Sequence, residues 1–303
     1  MTNITDVLNE LKGTRSKQSI ETQFALVGDA IEAVVAGHQK LQLICGGAGI
    51  GKTFAVEAKL KSLGVPIVPV SVNNEHSFVE LLWRYGDAPA IFLDDSDQLA
   101  NRPACANIAK TAFGQGHVTW ESRKAQAEGD PPRHFKVRCG LIWCSNLDYT
   151  NEAVLHEKMH AHWRALLSRG LSPIWIDTSN PTEVFRYVVR LATNGRMLHK
   201  LCMSKVASEK AVALFIECRD YWNEITPRQM MHIASACRLF EKDDMKLAMH
   251  LKKFLSAKRE RELDGIPYPT IVGAGVWRDV PTLLEDVEEL ERQPTKLLEY
   301  KPV

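Results

Sequence analysis

Short apolar runs alternate, between residues 20 and 180, with longer stretches in which apolar residues recur at helical spacing. Uninterrupted apolar runs of this length are typical of buried strands, and the helical spacing is typical of amphipathic helices. The predicted strands are residues 41–45, 65–72, 89–93, 140–145 and 173–177. The predicted helices are residues 22–37, 55–63, 78–85, 98–113 and 151–168. The pattern therefore predicts an α/β region.

The chain changes character after residue 180, where strand-like runs disappear and helical spacing remains. The helices predicted there are residues 182–193, 204–223, 227–241 and 243–263. The ends of the chain differ from both regions, because residues 1–20 are polar and residues 264–303 carry 8 acidic against 4 basic side chains. We therefore predict a polar segment at 1–20, an α/β domain at 21–180, a helical domain at 181–263 and an acidic tail at 264–303.

A phosphate-binding motif lies between the first strand and the helix that follows it. Residues 46–53 read Gly-Gly-Ala-Gly-Ile-Gly-Lys-Thr, which matches the pattern of Gly, four residues and Gly-Lys-Ser/Thr. Glycines let backbone N–H groups converge on phosphate oxygens, and the helix N-terminus adds a positive dipole. The motif predicts a nucleoside triphosphate site at Gly46, Gly47, Ala48, Gly49, Ile50, Gly51, Lys52, Thr53 and Phe54. In it, Lys52 reaches the β- and γ-phosphates and the Thr53 hydroxyl binds Mg²⁺.

Two carboxylates follow the apolar strand at residues 89–93. A strand that ends in this way, about forty residues after a phosphate loop, is where such enzymes place a second Mg²⁺ contact and a water-activating acid. We assign Asp94 to the metal, through water, and Asp95 to polarising the attacking water. The alternative is an ordinary acidic turn at the end of a strand.

The order of these motifs resembles that of the AAA+ ATPases. The phosphate loop is followed by Asp94-Asp95, a strand ending in Asn146, Arg169 before the last strand, and then a helical region. The resemblance covers about residues 20–262 and implies a five-stranded parallel sheet flanked by helices, with a C-terminal helical lid over the nucleotide. It further implies Mg²⁺-dependent ATP hydrolysis by a ring or helical homo-oligomer, approximately hexameric.

The same resemblance implies roles for three further residues. Asn146 corresponds to the "sensor 1" residue that orients the attacking water, and Arg169 to the arginine finger offered to ATP in the next subunit. Arg164 is the alternative finger, but Arg169 is favoured because a finger projects from a helix end. Arg228 corresponds to the "sensor 2" arginine of the lid. Its position in the first turn of a helix follows from the capping box that Thr226 and Gln229 predict around Pro227.

One departure from the family concerns Asp95, where most members have glutamate. The shorter side chain predicts slow hydrolysis and a long-lived ATP-bound state. An Asp-Asp pair also occurs in the bacterial replication initiator, so the chain is similar in style to initiators, helicase loaders and ATPases of phages or mobile elements. Such proteins use ATP to assemble on DNA or on a DNA-bound partner in replication, recombination or transposition.

A β-hairpin insertion is predicted at about residues 116–138, with strands at 116–121 and 134–138. Hairpins at this point face the central channel in AAA+ assemblies. Trp120 and Phe135 alternate with its cationic side chains, and this pattern would suit a phosphate backbone that the assembly threads or wraps. The predicted DNA contacts are Arg123, Lys124, Arg133, Lys136 and Arg138. The alternative is a hairpin that only contacts the neighbouring subunit.

Other functions remain open at this stage. A protein remodeller would thread polypeptide with Phe78 or His76, which lie in the other channel-facing position. A zinc protease is suggested by His156-Glu157-Lys158-Met159-His160, which matches HExxH, with Glu183 as a third ligand. A passive, ATP-gated scaffold with slow hydrolysis as a timer is a further possibility.

Composition says more about the cellular compartment of the protein than about the reaction that it catalyses. The chain has 303 residues, 45% of them hydrophobic, and a net charge of +1, so global charge argues neither for nor against a polyanionic partner. Its seven cysteines include no CxxC pair and are typical of small core residues in a reducing compartment. No signal segment or membrane-spanning run is evident. These features predict a cytoplasmic protein without membrane contact, with a possible protein partner at the acidic tail.

Overall fold

The computed structural model describes residues 19–67, 72, 74–120, 129–149, 157–168, 173–193, 197–218 and 222–254. Backbone contacts divide the chain into two compact units, Met1–Ser179 and Asn180–Val303. The first unit is α/β and the second is helical over the residues described.

The first unit contains both strands and helices. Its strands are β1 (Leu41–Gly46), β2 (Ala90–Leu93), β3 (His117–Thr119), β4 (His134–Lys136), β5 (Gly140–Ser145) and β6 (Ile174–Ile176). Its helices are α1 (Ile20–Val35), α2 (Lys52–Ser62), α3 (Glu75–Tyr85), α4 (Pro103–Gln115) and α5 (His160–Leu167). Short 3-10 turns at Asp97–Asn101 and Glu157–Met159 precede α4 and α5.

Four strands form a parallel sheet in the order β2-β5-β1-β6. The register places Leu41 beside Leu141 and Ile91 beside Leu141 on the other side, so the carboxyl ends of β1, β2 and β5 lie at one edge. Half of the predicted strand at residues 65–72 lies outside the described residues, since residues 68–71 are not described, and residues 65–67 and 72 have no regular structure. The described sheet therefore has four strands.

Helices cover both faces of this sheet. Helices α1 and α2 contact β1 on one face. On the other face, one cluster of buried apolar side chains joins β1, β2 and β5 to α3, α4 and α5. Burial of the strands on both faces explains their uninterrupted apolar sequences, as is usual for parallel sheets.

Strands β3 and β4 confirm the predicted hairpin by pairing in antiparallel register. Val118 pairs with Phe135, and both pack against the apolar core of the unit. Trp120 is also buried, and its indole donates a hydrogen bond to the Pro132 carbonyl over 3.1 Å. The two aromatic residues of the hairpin, Trp120 and Phe135, thus pack against the core of the unit.

The helix predicted at residues 98–113 is divided in the structure. A 3-10 turn spans Asp97–Asn101, and α4 begins at Pro103. Proline disfavours helical backbone at the preceding residue, and Arg102 accordingly has an extended conformation with φ −111° and ψ 107°. This break separates the acidic strand end from α4.

The second unit contains four α-helices in its described part. They are α6 (Pro181–Thr193), α7 (Lys205–Glu217), α8 (Pro227–Leu239) and α9 (Asp244–Leu251), with 3-10 turns at Leu198–Leu201 and Lys252–Phe254. Ser204 and Thr226 cap α7 and α8 through their hydroxyl oxygens. The predicted acidic tail, residues 264–303, lies outside the described residues. Among the helices of the described ranges, not one has the length and apolar character needed to cross a bilayer.

Candidate nucleotide site

The turn between β1 and α2 depends on glycine conformations. Gly46, Gly49 and Gly51 have φ of 155°, 75° and 106°, values that residues with a Cβ rarely adopt. A Cβ at Gly46 would also lie 2.9 Å from the Ile176 Cβ. Gly51 is the N-cap of α2, so the turn leads directly into a helix N-terminus, where backbone N–H groups favour an anion.

The remaining members of the predicted phosphate loop lie in the same turn. A Cβ on Gly47 would come within 3.2 Å of the Thr178 hydroxyl, so the backbone passes close to the second residue after β6. Ile50 is buried and anchors the loop, whereas Phe54 is half exposed on the first turn of α2. Ala48 separates the glycines in this loop.

Lys52 is buried at the centre of the site. Its Nζ donates hydrogen bonds to the Gly46 and Gly47 carbonyl oxygens, over 2.8 and 2.9 Å, and to the Asn146 Oδ1 over 2.9 Å. Burial lowers the pKa of Lys52, while nearby groups including the Asp94 carboxylate act in the opposite direction. A phosphate group would restore an anionic partner to this ammonium.

Thr53 and Asp94 form the predicted metal-binding pair. The Thr53 hydroxyl donates to the Asp94 Oδ2 over 2.8 Å, which joins the start of α2 to the end of β2. Burial raises the pKa of Asp94, and the hydrogen bond from Thr53 opposes this shift. A hydroxyl and a carboxylate beside a glycine-rich anion site are the oxygen donors that Mg²⁺ uses with nucleotides, so the residues present fit the ion.

Asp95 and Asn146 meet on the solvent side of this pair. The Asn146 Nδ2 donates to the Asp95 Oδ1 over 3.2 Å, and both side chains are exposed. Asp95 has a φ of 46°, which is uncommon for a residue other than glycine and is often found at functional sites. Asn146 therefore bridges Lys52 and Asp95 through the two ends of its amide.

Sequence reasoning missed a third carboxylate, Asp97. Its Oδ1 accepts hydrogen bonds from the Ser145 hydroxyl over 2.6 Å and from the Tyr149 hydroxyl over 2.7 Å. Burial raises the pKa of Tyr149, which keeps its hydroxyl a donor. The only sequence indication was the spacing of Asp97 after Asp94 and Asp95, because nothing in the pattern of residues 145–149 predicts its partners.

Three arginines were predicted to act at this site. Arg164 is exposed in the last turn of α5. Arg169 lies outside the described residues. Arg228 is exposed in the first turn of α8, in the second unit.

The cap of α8 agrees only in part with the prediction for it. The Thr226 hydroxyl accepts from the Gln229 backbone N–H over 3.1 Å, and Pro227 occupies the first turn, as predicted. The Gln229 side chain, however, is buried, and its Nε2 has no hydrogen-bond partner among the described residues. This burial turns Gln229 towards the interior of its helical unit.

The hairpin presents cationic side chains on its outer surface. Arg133, Lys136 and Arg138 are exposed, and Arg138 forms a surface ion pair with Asp87 over 3.5 Å. His134 lies on the same outer surface, where its Nδ1 is 2.9 Å from the Thr119 hydroxyl. Two further predicted contacts lie outside the described residues: Arg123 and Lys124.

The structure bears on two alternative functions, the protein remodeller and the zinc protease. Phe78 is 1% exposed within the core cluster, so the prediction that it grips polypeptide was wrong, although His76 is exposed. Glu157 and Met159 lie in a 3-10 turn and α5 begins at His160, so the single α-helix expected to carry HExxH is not continuous here. Within the described ranges no group of three His, Cys, Asp or Glu side chains could hold a metal ion, while His156 lies outside them.

Comparisons with known proteins give weak likenesses. No family profile matches the chain. An uncharacterized 36.7 kDa protein in the nrdC–mobD intergenic region of Enterobacteria phage T4 is 22% identical over 238 residues, which are 75% of this chain and 70% of that protein.

Three solved structures show partial similarity to the fold of this chain. NtrX from Brucella abortus in complex with ADP has a TM-score of 0.47 at 13% identity, over 95% of this chain and 72% of that one. The ATP complex of NtrX has a TM-score of 0.48 at 12% identity, over 95% and 64% of the two chains. A DNA replication initiation factor has a TM-score of 0.35 at 11% identity, over 93% and 92%. None of these three scores reaches 0.5, so the functional case rests on the site itself.

Proposed function

We propose that this protein is an AAA+ ATPase that binds ATP with Mg²⁺ and hydrolyses it slowly. The observation that carries the proposal is the hydrogen bond between the Lys52 Nζ and the Asn146 Oδ1, 2.9 Å long, beside the bonded pair Thr53 and Asp94. A basic phosphate-loop residue, a metal-binding pair and a polar residue from a neighbouring strand converge at one point. Such a group has the parts that phosphoryl transfer needs.

Each residue has a separate task in this proposal. Lys52 exchanges its two backbone carbonyl acceptors for oxygens of the β- and γ-phosphates, which stabilises the charge that develops there. Asp95 accepts a hydrogen bond from the attacking water and aligns it, while Asn146 holds Asp95 on one side and Lys52 on the other. Bound Mg²⁺ would neutralise phosphate charge, and Thr53 and Asp94 would hold it.

The experiment for this proposal measures ATP binding and hydrolysis separately. We expect Lys52→Ala to abolish binding of a fluorescent ATP analogue, and Asp95→Asn to bind ATP but hydrolyse it at least about 100-fold more slowly. Lys61→Ala is the matched control, because Lys61 is exposed on the same helix as Lys52. Wild-type protein that binds no nucleotide would overturn the proposal.

The larger architecture is proposed on the resemblance of the motifs. The second unit acts as the lid, with Arg228 touching the γ-phosphate, and residues 65–72 supply a fifth strand. Arg169 acts as the finger between subunits of a ring or helical homo-oligomer, approximately hexameric. The acidic tail, residues 264–303, binds a protein partner, and the protein acts in the cytoplasm.

DNA is the polymer on which we propose that this ATPase assembles, alone or with a DNA-bound partner. Support comes from the outer surface of the hairpin, where Arg133, Lys136 and Arg138 are exposed next to His134. Cationic side chains spaced along such a surface contact phosphates without reading sequence. Because Trp120 is buried and Phe135 is partly buried against the core, contact through phosphates is favoured over base stacking.

A further inference from the structure

The carboxylate of Asp97 connects the acidic end of β2 to the turn after β5. Its Oδ1 accepts from the Ser145 hydroxyl over 2.6 Å and from the Tyr149 hydroxyl over 2.7 Å. Ser145 is 1% exposed and Tyr149 is 2% exposed, so neither hydroxyl has water as a ready substitute. Hydrogen bonds to a charged acceptor are stronger than those between neutral groups, and most so when buried.

These two donors lie on either side of Asn146 in the chain. Ser145 precedes it directly, and the Ser145 Oγ also accepts the backbone N–H of Leu147 over 2.9 Å. Tyr149 closes the turn three residues after Asn146. Asp97 thus fixes both ends of the short segment that presents the Asn146 amide, while the amide itself is exposed.

The turn is also held from its other side by aromatic packing. Tyr149 stacks on Trp163 of α5, with ring centroids 4.3 Å apart and planes 5° from parallel. Trp143 of β5 contacts both rings, at 6.1 and 5.5 Å between centroids. The Tyr149 ring is therefore clamped by packing, and its hydroxyl direction is set by Asp97.

We propose that Asp97 is a positioning residue for hydrolysis, which holds Asn146 in place through Ser145 and Tyr149. This inference rests on the proposed ATPase function. Asp97 itself does not touch nucleotide, metal or the attacking water in this proposal. Because Asn146 bridges Lys52 and Asp95, a loosened turn would misplace the amide and slow the chemical step, while the phosphate loop would still bind ATP.

The test compares Asp97→Asn with wild-type protein in ATP hydrolysis and ATP binding. We expect kcat to fall about tenfold or more, with KM and the Kd for ATP unchanged within about twofold. Asp97→Asn replaces the charged acceptor by a neutral one, which weakens both hydrogen bonds. Ser145→Ala added to Asp97→Asn should lower kcat by less than the sum of the two single effects, because both changes act on the same network. Asp29→Asn, which alters an exposed carboxylate on α1, is the matched control.

A second variant tests the same role in case Asp97→Asn does not fold. Tyr149→Phe removes one hydroxyl and keeps the stacked ring, so it should fold and lower kcat in the same direction. If Asp97→Asn and Tyr149→Phe lower thermal stability but leave kcat unchanged, the positioning role is wrong and Asp97 is structural only.

Hydrogen exchange separates failure of this inference from failure of the ATPase proposal. We expect Asp97→Asn to speed exchange of the Leu147 N–H, which is bonded to Ser145 in wild-type protein. Wild-type protein without ATPase activity would overturn the proposed function, and faster exchange in Asp97→Asn would still support the holding of the turn. Unchanged exchange at Leu147 would overturn the positioning role whether or not ATP is hydrolysed.

Discussion

Lys52 and Asn146 are 94 residues apart in sequence, and their side chains are joined by a 2.9 Å hydrogen bond. The contact arises because β1 and β5 are neighbouring parallel strands, in which Cys45 pairs with Ser145. Lys52 begins the helix after β1, and Asn146 is the first residue after β5. Ligand sites in open α/β sheets form at such carboxyl ends of strands.

We predict that Asn146→Ala separates ATP binding from ATP hydrolysis. The change removes one of the three acceptors of Lys52 and the donor to Asp95, but leaves the glycine turn intact. We expect hydrolysis to slow about 100- to 1000-fold, as for loss of one preorganised hydrogen-bonding group, with ATP affinity nearly unchanged. Single-turnover hydrolysis and nucleotide titration measure the two effects. A large loss of affinity with normal hydrolysis would contradict the role given to Asn146.

In the absence of nucleotide and Mg²⁺, the ionised side chain of Asp94 should lower the free energy of unfolding of the protein. Burial raises its pKa above the ordinary 3.8, so the folded state binds more protons than the unfolded state between that value and the folded pKa. The free energy of unfolding therefore decreases as the pH rises through this window, and the loss is complete above it.

Asp94→Asn, which keeps an acceptor for Thr53, should accordingly be more stable than wild-type protein at neutral pH. This advantage should disappear below the ordinary pKa of aspartate, where both carboxyls are protonated. Urea denaturation over a pH series measures it, with Asp29→Asn as the control for loss of an exposed charge. Lower stability of Asp94→Asn at neutral pH would show that the burial cost is offset elsewhere.

The sequence was sufficient for the parts of the site that one local pattern defines. The phosphate loop predicted the turn from β1 into α2, and the apolar strands predicted which residues would end at the sheet edge, including Asp94 and Asn146. These predictions succeeded because a buried parallel strand needs a continuous apolar run, and a helix N-terminus needs recognisable flanking residues. The roles of these residues stay predictions.

Other features depend on tertiary contacts, which the pattern of apolar and polar residues along the chain does not reveal. Trp120 and Phe78 looked available for ligands because each lies among polar residues, yet each is buried against strands and helices distant in sequence. The bonds of Asp97 to Ser145 and Tyr149 span 48 and 52 residues. Nothing local distinguishes such a carboxylate from an exposed one in an acidic turn.

Substitution by alanine should change the free energy of unfolding in opposite directions at two glycines, Gly140 and Gly28. A Cβ at Gly140 would lie 2.3 Å from the Val34 Cγ1 and 3.2 Å from the Val34 carbonyl oxygen, so α1 and β5 would have to separate. We expect Gly140→Ala to lower the free energy of unfolding by about 1–3 kcal/mol.

Gly28 lies inside α1, and a Cβ there would make only an ordinary contact with Lys59 at 3.8 Å. Gly28→Ala should raise the free energy of unfolding by about 0.5–1 kcal/mol, because alanine has the better helix propensity. Denaturant midpoints of the two variants measure both signs. An equal response of the two variants would contradict the close packing of α1 against β5.

The outer surface of the hairpin predicts salt-dependent binding of DNA. If Arg133 and Lys136 each contact a phosphate, the double change Arg133→Ala plus Lys136→Ala should weaken binding. It should also reduce the slope of log K against log salt by about 1.4–1.8. Lys61→Ala plus Arg84→Ala removes two exposed charges from α2 and α3 and is the matched control. Equal losses in both variants would indicate a general charge effect instead of a hairpin site.

The arginine finger should act across a subunit interface. We expect Arg169→Ala to bind ATP and to lose about 1000-fold or more in kcat, the range for such fingers. Mixing inactive Arg169→Ala with inactive Lys52→Ala should restore activity, because some interfaces then join an intact phosphate loop to an intact finger. Arg84→Ala, an exposed arginine paired with Glu80 on α3, serves as the control. Restoration by Arg164→Ala in place of Arg169→Ala would assign the finger to Arg164, and no restoration by either would indicate that hydrolysis occurs within one subunit.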